Sequence, residues 1–334
     1  MMSILKSATA LASLLLALGH PSPGVAQQST PTKAYPVKPV KIVIPLGPGN
    51  SVEIAMRIVA DKLTAALGQP FVIEPQPGAS GQIGTERVAR SAADGYTLLA
   101  ANDGIITMLP NLQKNLPYDV VRDFAPVTQM IGIPFVLVAH PSVPATTARE
   151  LIQLAKAQPG KLDFSSGGNG SAQHLAMELF MRLTDTTLTH IPYKGAPQAA
   201  MDVVSGQIPV AFAGVPIVAA LIKEGKLRAL GIAGDQRLPL LPDTPTFKEQ
   251  GIAFRFVAWA GLFAPAGTPG DIVARLNQEA VKALKSRDVQ ERMAGFGFEI
   301  YGSSPENFAE TITADFARIG KAIKDAGITP QPNQ

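Results

Sequence analysis

Short apolar runs alternate with helix-spaced patterns along most of this chain. Residues 40–46, "VKIVIPL", form a buried-strand run. Ala55, Val59, Leu63 and Leu67 then recur at four-residue spacing, which predicts a helix that Gly68 ends. "PFVIEPQ" and "YTLLAAN" predict two further strands, with the helical "GTERVARSA" between them. Strands separated by helices imply a parallel sheet with crossover helices.

The same order restarts after "VLVAHPS". Helix "TARELIQLAKAQPG", strand "LDFSS", loop "GGNGS", helix "AQHLAMELFMRLT" and strand "LTHIPY" are followed by helix "APQAAMDVVSG", strand "IPVAFAG", helix "PIVAALIKEG" and strand "KLRALGIA". This is a second α/β unit. Beyond "FVAWAGLFAPAGTP" come two helical stretches, one short strand "FEIYG", and a final helix with Phe308, Ile312, Phe316, Ile319 and Ile323 on one face. The tail is too short for a third domain, so it is expected to pack back on the first lobe. The chain then crosses between lobes twice, near "IGIPFVLV" and near "FVAWAGLF".

The first residues change the picture. "MMSILKS" with Lys6, the apolar "ATALASLLLALG" and the small residues Gly24 and Ala26 read as a secretory signal peptide, 1–26, cleaved after Ala26. The apolar stretch is shorter than the ~20 residues of a membrane-spanning helix. Residues 27–38 read as a flexible polar lead-in. Removal of 1–26 from the 334 residues leaves enough chain for two lobes with real cores.

Charge adds little. Lys and Arg number 29 against 26 Asp and Glu, with no basic run, so nucleic acid is not an expected partner. Cysteine is absent, which removes disulfides, thiolate metal sites and cysteine nucleophiles together.

Two Gly-rich loops, "GPGNS" and "GGNGS", stand at strand-to-helix turns, where ligands bind in open α/β sheets. Their glycines permit close backbone approach, and helix N-termini attract anions. A carboxylate or phosphate is the natural guest; the alternative is that Asn50 and Ser171 only cap helices. No Gly-Lys-Ser/Thr follows, and "GPGNSV" lacks the third glycine of the dinucleotide fingerprint, so a nucleotide is not expected. His140 sits in a turn, His190 in a strand, and His174 follows Ser171 too closely for a nucleophile elbow. The three histidines are too dispersed for a metal cluster, and no metal or cofactor is expected. Trp259 fits a packing or hinge role.

The segments "YPVKPVKIVIPLGPGNSVEIAMRIVADKL", "GQPFVIEPQPGASGQIGTERVARSAADGYTLL", "LPYDVVRDFAPVTQMIGIPFVLVAHPSVPA", "HIPYKG", "GKLRALGIA", "LPDTPTFKEQG" and "GLFAPAGTP" occur in an order that resembles the tripartite tricarboxylate transporter receptor family, the Bug or TctC-like extracytoplasmic solute-binding proteins. The resemblance spans residues 35–330. It implies an α/β fold like the type II periplasmic binding proteins: two lobes, 35–135 plus 260–330 and 136–259, around a ligand cleft with two crossover strands. It also implies a periplasmic, non-catalytic, monomeric receptor that delivers a small, carboxylate-bearing solute to membrane transporter subunits.

The family's ligand positions correspond to Pro48, Gly49, Asn50 and Ser51; Gly78, Ala79, Ser80 and Gly81; and Asn102, Asp103 and Gly104 in the first lobe. In the second they correspond to Gly168, Asn169, Gly170, Ser171 and His174; Tyr193, Lys194 and Gly195; and Ala213 and Gly214. The chain departs from the family at Asn50, Glu53, Gln76, Asp103 and Ala213. Asp103 either binds a solute's amino group or caps the following turn. Two other readings stay open: a secreted hydrolase using Ser171 and His174, and a ligand sensor for a membrane signalling partner.

Overall fold

The protein is described here by a computed structural model of residues 35–113 and 115–325. The expected signal peptide lies outside the described residues, as does the lead-in as far as Ala34. The alternation of patterns resolves into ten strands and ten α-helices among the described residues. β1 (Val40–Ile44), β2 (Phe71–Pro75) and β3 (Thr97–Asn102) pair in parallel, with α1 (Ser51–Leu67) and α2 (Gln82–Ala89) as crossovers. α1 begins where the Asn50 side chain accepts the Glu53 N–H, and ends where Gly68 turns left-handed. Its buried stripe includes Ala55, Met56, Val59 and Leu63.

A π-helical turn, Gly104–Met108, follows β3 directly and runs into the short α3 (Leu109–Leu112). β4 (Phe124–Ala139) then spans 16 residues and serves both halves of the sheet. The second half is α4 (Ala148–Ala157), β5 (Asp163–Ser166), α5 (Ala172–Thr184), β6 (Thr189–Pro192), α6 (Ala196–Val204), β7 (Val210–Gly214), α7 (Val215–Lys223) and β8 (Arg228–Ile232). The chain returns through β9 (Val257–Pro265) and closes with α8 (Gly270–Lys285), α9 (Arg287–Gly295), β10 (Glu299–Ile300) and α10 (Pro305–Asp325).

The strand order is β2-β1-β3-β9-β4-β7-β5-β6, with β8 and β10 also pairing with β4. The expectation of parallel strands holds for β2-β1-β3 and for β6-β5-β7, but β9 and β4 are antiparallel to their neighbours. The reason is topological: β9 re-enters the first half from the second and inserts between β3 and β4. The pairing of β4 switches at one point. Phe124–Pro134 lies against β9, and Phe135–Ala139 lies against β7 and β8.

The C-terminal helix packs as its apolar spacing predicts. Phe308, Ile312, Ile319 and Ile323 are buried, and the Phe308 ring stands 5.2 Å from Trp259 and 5.0 Å from Phe263. Trp259 is buried and its indole N–H donates to Asp315 at 2.5 Å, which gives it a packing role.

Candidate functional site

The carboxyl ends of β1, β2, β3, β5, β6 and β7 meet at one cavity of about 470 Å³, bounded by residues from both halves of the sheet. Of the positions expected from the sequence, Asn50, Ser51, Gly78, Ala79, Ser80, Gly81, Asn102 and Gly104 reach it from the first half. Gly168, Asn169, Gly170, Ser171, Tyr193, Lys194, Gly195 and Gly214 reach it from the second.

Five expected positions do not line the cavity. Pro48 and Gly49 are exposed outside it, and the Gly49 N–H is taken by the Glu53 carboxylate at 2.7 Å. Ala213 neighbours Gly214 in β7, so strand alternation turns its side chain to the opposite face, into the cluster with Val136 and Val215. Asp103 is buried behind the loop, where it accepts the Gly104 N–H at 2.9 Å. Burial, and then the neighbouring Asp315, hold its carboxyl well above the ordinary range. Asp103 thus caps the π-helical turn, and it does not present an acid to the cleft.

His174 stands behind the Gly-rich loop. Its Nδ1 accepts the Gly170 N–H at 3.1 Å and its Nε2 lies 3.5 Å from Glu178. The ring stacks on His190 at 4.0 Å, and His190 stacks on Phe164 at 4.8 Å. The structure therefore brings together two histidines that looked dispersed in sequence, as a support for the loop. His190 Nε2 is 2.6 Å from the Ser166 hydroxyl, which also accepts the Gly168 N–H. Burial, and then His174, push the His190 pKa down to about 3, so the ring is neutral. Among the described residues no group of histidines and carboxylates has the arrangement to hold a metal ion.

The chemistry of the walls follows from which donors are already used. Asn50 and Ser171 cap α1 and α5, accepting from Glu53 and His174 respectively. That leaves the backbone N–H groups of Ser51, Val52, Ala172, Gln173 and Ala196, at the starts of three helices, without a partner among the described residues. Such groups carry partial positive charge and attract anions. Among the described residues no carboxylate lines the cavity, and the one formal charge on its wall is Lys194, exposed at the rim. The Tyr193 hydroxyl donates to Asp202, which raises its pKa to about 12.

The rim is narrow. A Cβ on Gly47 would lie 3.2 Å from the Lys194 carbonyl and 3.6 Å from the Gly195 Cα. Glycine is what lets the two halves approach there.

The reading of Ser171 and His174 as a hydrolytic pair finds no support in this geometry. Both ring nitrogens of His174 face other partners, and the Ser171 hydroxyl accepts the His174 backbone N–H. A nucleophile needs its base within hydrogen-bond reach.

Sequence reasoning missed the floor. Ile133 and Phe135 are two residues apart on β4, and their cross-strand partners are Ala258 on β9 and Gly214 on β7. All four line the cavity on one face of the sheet, with Ile217 and Val52 beside them. The only available signal was the two-residue period inside "IGIPF", which a continuous apolar run hides.

The chain matches the model of the "Tripartite tricarboxylate transporter family receptor" over residues 55–328. It is 35% identical over 296 residues to Protein BugT of Bordetella pertussis, covering 88% of this chain and 90% of that protein. Among solved structures, a Rhodopseudomonas palustris protein with adipate superposes with a TM-score of 0.86 at 32% identity, covering 89% of this chain and 100% of the other. MatC from Rhodopseudomonas palustris with bound malate gives a TM-score of 0.83 at 31% identity, covering 86% and 100%.

Proposed function

The chain belongs to the tripartite tricarboxylate transporter receptor family, whose members are solute-binding proteins with the two-lobed periplasmic binding fold; from that premise we propose that it captures a small carboxylate and delivers it to transporter subunits in the membrane. The observation that carries this reading is the cleft. Three helix starts with unpartnered N–H groups face a cavity bare of carboxylates. Neutral donors solvate a carboxylate without burying an ion pair, whose desolvation can cancel its attraction. The relatives solved with adipate and with malate favour the same class of ligand.

The proposed lobes are residues 35–135 plus 260–330 and residues 136–259, hinged where β4 changes partners and where the chain enters β9. Pro48 and Gly49 act as the outer turn of the first loop, His174 orders the second, and Ala213 supports Gly214 from behind. The protein works as a periplasmic monomer after cleavage following Ala26.

Mass spectrometry of ligand carried through gentle purification, followed by calorimetric titration of that compound, tests capture. A carboxylate is expected. A neutral or cationic ligand would overturn the carboxylate reading, and failure to bind any solute would overturn capture itself. Co-purification of membrane transporter subunits is expected for delivery, whereas recovery of a sensor kinase alone would replace delivery with signalling.

A further inference from the structure

The two halves touch beside the cavity as well as at its rim. On one side of this contact stand the π-helical turn Gly104–Met108 and α3, fixed to the first half because Asn111 Nδ2 donates to the Phe316 carbonyl at 3.2 Å and so ties α3 to α10. On the other side is the loop before α5, which His174 holds through the Gly170 N–H. Gly170 comes so close to α3 that a Cβ there would lie 3.3 Å from Leu109 Cδ1 and 3.4 Å from Leu112 Cδ1. A Cβ on Gly104 would lie 3.4 Å from the backbone nitrogen of Ala172, at the start of α5. Leu109 and Leu112 are 1% and 9% exposed, and neither lines the cavity. The rim contact is different in kind. A Cβ at Gly47 meets only backbone atoms of Lys194 and Gly195, so no apolar side chain is covered there.

Resting on the reading of solute capture between two hinged lobes, we infer that Leu109 and Leu112 are positioning residues for that capture: an apolar latch that holds the second loop, and with it the N–H donors at the start of α5, against the first half when the cleft is closed. Opening about β4 and the entry to β9 draws Gly170 away from α3 and returns both leucines to water. Burial of their apolar surface therefore favours the closed form. A solute that needs the closed form has an apparent dissociation constant equal to its intrinsic one divided by the closed fraction. The two leucines thus set affinity without touching the solute. Glycine at position 170 belongs to the same device, since its φ of +74° disfavours any side chain and a Cβ would hold the loop off the leucines.

The sequence has no cysteine, so Val121→Cys and Leu183→Cys, exposed on the first and second halves, carry spin labels as the only thiols of the protein. The distance between the labels reports closure, and calorimetric titration with adipate reports affinity. In this background Leu109→Ala is expected to shift the ligand-free distances toward longer separations and to weaken adipate at least threefold, while Leu109→Met, which keeps the volume, restores both. Leu112→Val trims the same contact by one methylene and should move both readouts the same way by less, which keeps the test open if Leu109→Ala does not fold. Wild-type distances in the folded variants would overturn the latch and leave capture standing; wild-type affinity with shifted distances would overturn its part in capture. If adipate does not bind, the ligand-free distances decide alone: a shift in Leu109→Ala that Leu109→Met reverses supports the latch, and no shift overturns it. The class of solute is then decided separately, by the compound that co-purifies.

Discussion

Asp103 illustrates what one buried acid does to stability. Its folded pKa is raised above the ordinary 3.8, by burial first and by Asp315 second; the Gly104 and Trp259 N–H groups and Arg318 act in the opposite sense. Below pH about 4 both folded and unfolded chains hold the proton, and the group is neutral in the balance. As pH rises, the unfolded chain ionises first, so stability is lost up to the folded pKa. Asp103→Asn keeps the acceptor for Gly104 and cannot ionise. It should raise the melting temperature at pH 7 and change it little near pH 4; an equal shift at both values would refute the linkage. Gly170 acts through the backbone. Its φ is +74°, and a Cβ would stand 3.3 Å from Leu109 and 3.4 Å from Leu112. Gly170→Val should therefore displace the loop and weaken ligand binding more than tenfold, about 1.4 kcal/mol. Ser51→Ala removes one neutral hydroxyl and should weaken it less, by about 1 kcal/mol. Equal losses in calorimetric titration, with both proteins folded, would mean that side chains rather than the main chain hold the ligand. The glycines and caps were legible because turn and capping chemistry is local. The role of Asp103 is not legible in the sequence, since nothing adjacent announces Asp315 or Trp259.

At the scale of elements, the stack of Phe164, His190 and His174 ties β5, β6 and α5 together beneath the second loop. His190 has an ordinary pKa of 6.5 and a folded value of about 3. Above pH 6.5 both states are neutral. Below it the unfolded chain takes up a proton that the folded chain refuses, so stability falls progressively from pH about 6.5 toward 3. His190→Gln should flatten that part of the melting-temperature profile while lowering the plateau above it. A profile of wild-type steepness in this variant would assign the acid sensitivity to other groups. Helices α1, α5 and α10 were readable from spacing, because an amphipathic stripe is a property of the element itself. The antiparallel insertion of β9 was not, because a buried strand carries no local mark of which neighbours it will join. The same limit hid the apolar floor, which exists only once β4, β7 and β9 are aligned in register.

For the molecule as a whole, two chain crossings connect the halves, at β4 and on the way into β9. The hinge proposed at these crossings would absorb closure in a few backbone dihedrals and leave the packing inside each half intact. Small-angle scattering should give a smaller radius of gyration with saturating ligand, and an unchanged radius would show the cleft to be static. The two parallel strand sets, β1–β3 and β5–β7, were visible in the repeat of pattern, and the packing of Phe308 on Trp259 and Phe263 followed from the tail's being too short to fold alone. The position of β9 has a further consequence, in the order of events when the chain is made. Leu99 pairs with Phe263 and Gln129 with Gly261, so the centre of the first half stays open until a strand synthesised long afterwards arrives. Pairings so distant in sequence are slow to form. A polypeptide emerging in vectorial order cannot complete its first sheet early, and a fragment stopping before β9 should bind ANS and melt without a cooperative transition. The first sheet is thus closed by one of the last strands to be made, after every strand of the second half.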